Sequence, residues 1–221
     1  MNSHLKAGKS QMDNLLRFNF NQKYLIFDTE TEGLNLIASK PWQIAWIDAT
    51  GKKINKKQDR LLLWDDLNVS KDAAKITGFN EASYRKKAED PKKVWREFSE
   101  KLYDEDYMIV GQNILGYDVY ILKVWAELIG EKIDFSFIKR CIDTKSLETA
   151  IAKGCTFVPV EDRTSFLYKY LNYRERGLKT NQKFLLEKYE IPFDASKLHD
   201  ALYDIEKNYE IFLKQINNIE I

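Results

Sequence analysis

Asp28-Thr29-Glu30 closes the apolar run that begins at Lys23. Side chains alternate along a strand, so Asp28 and Glu30 share a face, with Cα atoms about 6–7 Å apart. Paired oxygen donors of this kind suit hard divalent cations, which stand ~3.5–4 Å apart in two-metal phosphoryl hydrolysis. The same residues also describe a plain polar strand end ahead of the turn at Glu32-Gly33. A second acid, Asp118, ends Gly111-Gln-Asn-Ile-Leu-Gly-Tyr-Asp118, between an apolar run and a helical pattern. A carboxylate there interacts favourably with a helix N-terminus, whether or not it does chemistry. A third group, His199-Asp-Ala-Leu-Tyr-Asp204, opens the last helical pattern. A helix turns ~100° per residue, so His199 and Asp204 cannot share its face. His199 is therefore expected in the segment before the helix, where imidazole could take a proton from water near neutral pH.

Taken together, these segments resemble the DEDDh group of 3′→5′ exonucleases, the DnaQ-like family of the ribonuclease H-like superfamily. Asp28-Thr29-Glu30-Thr31-Glu32-Gly33-Leu34 is similar to its first motif, Asn113 with Tyr117-Asp118 to its second, and His199, Ala201 and Asp204 to its third. Ile76-Thr-Gly-Phe79, Asp143-Thr144 and Leu185 to Ile191 are further landmarks, so the likeness spans roughly residues 23 to 215. It implies that Asp28, Glu30, Asp118 and Asp204 hold two divalent ions, Mg²⁺ or Mn²⁺, and that His199 is the general base. It implies that Thr31, Gly33, Leu34, Phe79 and Asn113 meet the substrate, Leu34 as an apolar wedge and Phe79 in the base pocket. Asn113 could instead brace its own motif.

The implied partners are nucleic-acid 3′ ends, single-stranded and with DNA favoured over RNA, and a polymerase or other replication or repair protein. The different-class alternative is a nonenzymatic subunit of the same fold that binds nucleic acid or a polymerase. An HD-type phosphohydrolase needs further histidines, and the only other one is His4 in the polar lead-in.

The elements that must position these residues follow from hydrophobic patterning. Lys23 to Asp28, Trp42 to Ile47, Ile54 to Trp64 and Tyr107 to Val110 read as strands, the middle two joined by the turn Asp48-Ala-Thr-Gly-Lys52. Asp90-Pro91 caps an amphipathic helix through Val94, Phe98 and Leu102. Further helices run from Tyr117 to Ile129, stopped by Gly130, and from Leu202 to Ile216. The fold class expected is α/β, a ribonuclease H-like mixed central sheet flanked by helices. Residues 1–22 read as a loose lead-in and 23–221 as one exonuclease-like domain, with 155–181 a surface insertion or partly helical flap. In that stretch Arg174, Arg176 and Lys179 lie beside Tyr168, Tyr170 and Tyr173, a mixture suited to single-stranded nucleic acid.

Composition bounds the rest. Hydrophobic residues make up 44% and aromatics 13%, enough for a sizeable core, and no segment approaches the ~20 apolar residues of a membrane span. Two cysteines, Cys141 and Cys155, are too few for a disulfide scaffold, and a cytoplasmic setting is expected. The net charge of +1 speaks against binding by bulk positive charge.

Overall fold

The computed structural model describes residues 19–155 and 162–217. Most of the expected lead-in lies outside the described residues. Its end, Asn19 to Gln22, is tied down where Gln22 Nε2 donates to the Asp106 carbonyl at 2.7 Å.

A five-stranded mixed sheet forms the centre, in the order β3-β2-β1-β4-β5. β1 (Lys23–Thr31), β2 (Pro41–Thr50) and β3 (Lys53–Leu61) form an antiparallel meander, while β4 (Tyr107–Gly111) and β5 (Cys141–Asp143) run parallel to β1. β3 ends at Leu61, short of the expected Trp64. Beyond it Leu62 bridges to Glu89, and the Tyr84 hydroxyl fills the gap, donating to the Leu62 carbonyl and accepting from the Trp64 amide.

β1 shows why an apolar run reads as a doubly covered strand. On one face Tyr24 packs its ring against Tyr209 and Phe212 of α8 (Ala201–Gln215). On the other, Phe27 meets Phe98 of α3 (Pro91–Leu102), which stacks on Trp125 of α4 (Asp118–Leu128). Each buried aromatic side chain removes a large apolar area from water, so these two layers supply much of the core. α3 starts on the Asp90 cap, and α4 stops where Gly130 takes a φ of 76° that few other residues tolerate.

α1 (Lys71–Thr77) and α2 (Glu81–Lys87) bury one side chain between them, Tyr84, and so carry no hydrophobic period. Their caps, Ser70 and Asn80, and the left-handed Gly78 mark them instead. α5 (Thr144–Ala152) follows β5, and α6 (Arg163–Leu171) packs against it with Phe166, Leu167, Tyr170 and Leu171 in the main core. The helical part of the expected flap is therefore core rather than surface, because its apolar residues fall in adjacent pairs four apart. α7 (Gln182–Lys188) joins α8 in a smaller cluster of Leu185, Leu186, Ile191 and Ile211. Among the described residues no helix is long and apolar enough to cross a membrane.

Candidate active site

The strands β1, β4 and β5 all end at one edge of the sheet, and the candidate residues gather there. Ligand sites of open α/β sheets form at such carboxyl ends, where neighbouring connections diverge. Asp28 and Glu30 lie on the β1 face that carries Tyr24, the face covered by α8, and the charge of Asp204 on α8 acts on both. Thr29 lies on the opposite face and reaches the first residue of α4. Its amide and its hydroxyl both donate to Asp118 Oδ1, at 3.1 and 2.7 Å. Asp118 is only 2% exposed.

The four acids have strongly perturbed protonation. Burial raises Asp28 well above the ordinary carboxylate range, and the charges of Asp118, Glu30 and Asp204 push it the same way. Burial and then Asp204 and Asp118 raise Glu30 to about 8. Asp118 is raised to about 7 by burial, against the Thr29 hydrogen bonds that favour its anion. Asp204 is raised to about 6 by burial, against the His199 amide and Gln182. No hydrogen bond or ion pair relieves Asp28 or Glu30 among the described residues. Clustered buried carboxylates without a cationic side chain are the usual environment of a metal or proton-transfer site. In this arrangement no three His, Cys, Asp or Glu side chains among the described residues stand close enough to hold an ion jointly. What the four share is charge.

His199 sits ahead of α8, exposed, with a φ of 75°. Its amide donates to Asp204 Oδ2 at 3.0 Å, and the next residue, Asp200, caps the helix by accepting from the Tyr203 amide at 2.9 Å. Gln182 of α7 holds the other side of Asp204, donating to Oδ1 at 3.2 Å and to the carbonyl at 3.0 Å. The histidine backbone and the aspartate are thus locked in one local frame.

The remaining candidates separate. Leu34 is 88% exposed and borders a cavity of about 510 Å³ with Glu30, Thr31, Gly33, Ile76 and Tyr117. The Tyr117 hydroxyl braces that rim, bonding to Thr31 Oγ1 at 2.6 Å and donating to the Gly33 carbonyl at 2.9 Å. Ile76 and Thr77 also border a second cavity of about 650 Å³ that opens on His199, Asp200 and Tyr203. Phe79 borders a third cleft, which shares Thr77, Gly78 and Asp200 with the second, and its ring packs on Trp42 and Tyr84. Asn113 adopts a left-handed φ of 61° and accepts from Lys145 Nζ at 3.0 Å. A Cβ on Gly116 would stand 2.7 Å from Asn113 Oδ1, so any larger residue there would make that amide shift. The buried Asp143 accepts from the Leu115 and Ser146 amides and so pins the same loop to α5.

The parts played by Thr29, Gln182 and Lys145, and the bracing role of the motif residue Tyr117, were not announced by sequence. Their partners lie 22 to 89 residues away, and no local spacing announces such pairs. Of the tyrosines near Arg174, Tyr170 is buried and Tyr168 half-buried, while Tyr173 is 37% exposed, with Lys153 over one face of its ring and its hydroxyl bonded to Glu175.

The sequence model of the RNase T exonuclease family matches residues 25–212. The chain belongs to this exonuclease family. The matched span runs from β1 into α8, so it contains Asp28, Glu30, Asp118, His199 and Asp204 together. Membership bears out the DnaQ-like, ribonuclease H-like reading of the motifs and makes the chain a nuclease of that lineage.

Solved structures agree on the fold. The zinc-bound complex of E. coli exonuclease I with single-stranded DNA superposes with a TM-score of 0.68 at 17% identity, covering 89% of this chain and 40% of the other. E. coli exonuclease I with a dT13 oligonucleotide gives 0.68 at 16% identity, covering 89% and 41%. Exonuclease I with SSB and the inhibitor CFAM gives 0.66 at 15%, again covering 89% and 41%. The chain therefore spans about 40% of the length of these structural relatives. No curated protein sequence matches it.

Proposed function

We propose that the protein is a metal-dependent 3′→5′ exonuclease that removes nucleoside 5′-monophosphates from single-stranded ends, DNA in preference to RNA. One observation carries this reading. Acids from β1, α4 and α8 converge at a single sheet edge with no lysine or arginine among the described residues paired to them, and an exposed histidine is anchored by its backbone to one of them. E. coli exonuclease I, whose fold this chain shares, has been captured on single-stranded DNA.

The chemistry of the donor set suits divalent metal ions, with four carboxylates, all oxygen ligands, two of them lacking a partner among the described residues, although in this arrangement no three stand close enough to share an ion. Asp28, Glu30, Asp118 and Asp204 would hold Mg²⁺ or Mn²⁺. Bound ions would offset the charge that develops on the attacking and leaving oxygens.

The chain's own residues do the rest. His199 takes the proton as water adds its oxygen to phosphorus, the P–O3′ bond breaks, and the departing 3′ oxygen gains a proton. Asp204 keeps the His199 backbone in place through the amide bond at 3.0 Å. Thr29 orients Asp118 through two donors and favours its anion, the form a cation needs. Leu34, with Thr31 and Gly33, offers an apolar rim for the terminal base, held by the Tyr117 hydroxyl. The position of Phe79, packed on Trp42 and Tyr84, favours a structural part for that ring over contact with the base.

The deciding assay digests 3′- and 5′-labelled DNA and RNA strands with Mg²⁺, comparing wild type with Asp28→Ala. Stepwise shortening from the 3′ end, abolished by the substitution and by EDTA, is the expected result. Attack from the 5′ end, or an active Asp28→Ala protein, would overturn the proposal.

A further inference from the structure

The loop over 172–181 carries Arg174, Arg176 and Lys179 against one acid, Glu175. That acid is occupied: its carboxylate accepts from Lys153 Nζ and from the Tyr173 hydroxyl, both at 2.7 Å. Arg174 donates to the carbonyls of Leu171 and Tyr173, at 2.7 and 3.0 Å, and finds no carboxylate among the described residues. Beside it stands Lys145, in the first turn of α5 and half-buried, whose ammonium donates to the neutral Asn113 amide oxygen. Asp143, two residues before Lys145, already accepts from two backbone amides. Burial lowers the Lys145 pKa; the charge of Asp143 opposes this and the charge of Arg174 adds to it.

Contacts fix this pair against the loop that leads into Asp118. Gln112 Nε2 donates to the Thr180 carbonyl at 2.7 Å, joining the two loops. A Cβ on Gly116 would stand 3.4 Å from Leu171, whose carbonyl Arg174 holds. Lys145 feels one acid, Asp143, whose carboxylate is already engaged by two backbone amides, and an anion placed between the two cations relieves their mutual repulsion. Asn113 and Asp118 are five residues apart, no more than ~18 Å of extended chain, and the helical turn between them shortens that. Any ligand held at this pair therefore continues within a few nucleotides of the acid cluster.

We infer that Lys145 and Arg174, braced by Asn113, form a phosphodiester-binding site for the strand upstream of its terminal nucleotide. The inference rests on the nuclease reading above and adds to it the path by which the substrate leaves the acid cluster. Recognition there is by charge, since what Lys145 and Arg174 present to a strand is an ammonium and a guanidinium. The site therefore reads backbone and not base.

Fluorescence anisotropy with 5′-labelled oligothymidylates tests it, performed in EDTA so that hydrolysis does not run. For a ten-nucleotide strand, the Lys145→Gln/Arg174→Gln protein is expected to bind roughly tenfold more weakly. Its slope of log affinity against log salt should fall by about 1.4, the value for two lost contacts to a single strand. Arg174→Gln alone changes only an exposed loop side chain and should remove about half of that slope. Affinity for a thymidine dinucleotide, which has no upstream phosphodiester, should move less than twofold. Lys145→Arg should restore the longer strand. Wild-type affinity and slope in both glutamine variants would overturn the site, even if the digestion assay shows 3′→5′ cleavage. Lost affinity and slope in a protein that cleaves nothing would uphold the site and overturn the nuclease reading.

Discussion

Asp28 is the residue at which chemistry and stability conflict most directly. Burial and three neighbouring carboxylates hold its proton on, so its ionised form is costly in the metal-free protein. Asp28→Asn keeps the shape and removes that charge. In EDTA it should melt higher than wild type by roughly 2–8 °C, the equivalent of about 1–2 kcal/mol for a chain of this size. Cleavage should be lost in the same protein. Thermal melts paired with the digestion assay check both, and an unchanged or lower melting temperature would show that the carboxylates do not repel. At this scale the sequence was informative where spacing alone sets geometry: the strand period put Asp28 and Glu30 on one face, and helical rotation put His199 ahead of α8. It was silent on the roles of Thr29 and Gln182 and on the brace that the motif residue Tyr117 supplies, because these lie in contacts made across the fold.

At the scale of elements, the start of α8 orders the site. Asp200 caps the helix, the preceding residue is His199, and Asp204 accepts from the His199 amide. Asp200→Ala should cost about 1 kcal/mol of stability, as loss of an N-cap does. It should also slow strand cleavage well beyond that loss, since the histidine frame loosens. Asp90→Ala removes the equivalent cap from α3, on an element that contributes no candidate residue, and should lower stability alone. Urea midpoints and cleavage rates for the two proteins make the comparison, and equal rates would mean that the cap does not position His199. Long amphipathic elements such as α3 and α8 were legible because their apolar residues recur every turn. The three-residue β5 and the shallow α1 were not, because they bury too little to impose a period. α6 carried a readable signal, the Asp162 cap ahead of Phe166, Leu167, Tyr170 and Leu171, which its flanking arginines and tyrosines obscured.

For the whole molecule, the acid cluster ties stability to pH. Carboxyls raised in the folded state bind protons more tightly there than in the unfolded chain. Their contribution is complete below about pH 4 and is lost as pH climbs through about 6 for Asp204, 7 for Asp118 and 8 for Glu30. The exposed Asp66 and Asp106 and the partly buried Glu89 are lowered by lysine and arginine partners and act in the opposite sense, at more acidic pH. In EDTA the melting temperature should therefore fall between pH 5 and 8. Millimolar Mg²⁺ or Mn²⁺ should flatten or reverse that fall by stabilising the ionised acids, by about 2.7 kcal/mol at a hundredfold excess over Kd. Differential scanning calorimetry across that range checks the sign, and a profile indifferent to divalent ions would count against metal binding. The net charge of +1 hid both the negative centre and the cationic loop beside it, because a sum carries no positions.

The outer edge of the sheet has a consequence of a different kind. Among the described residues β3 has no strand on its outer side, and it carries exposed Lys53, Lys56 and Lys57. A bare strand edge invites another copy to add its own strand, and charges spaced along it oppose that contact. The opposite edge, β5, is only three residues long and offers little to pair with. The sheet is thereby protected against edge-to-edge self-association at both margins, and the protein can be concentrated without its sheet growing into its neighbours.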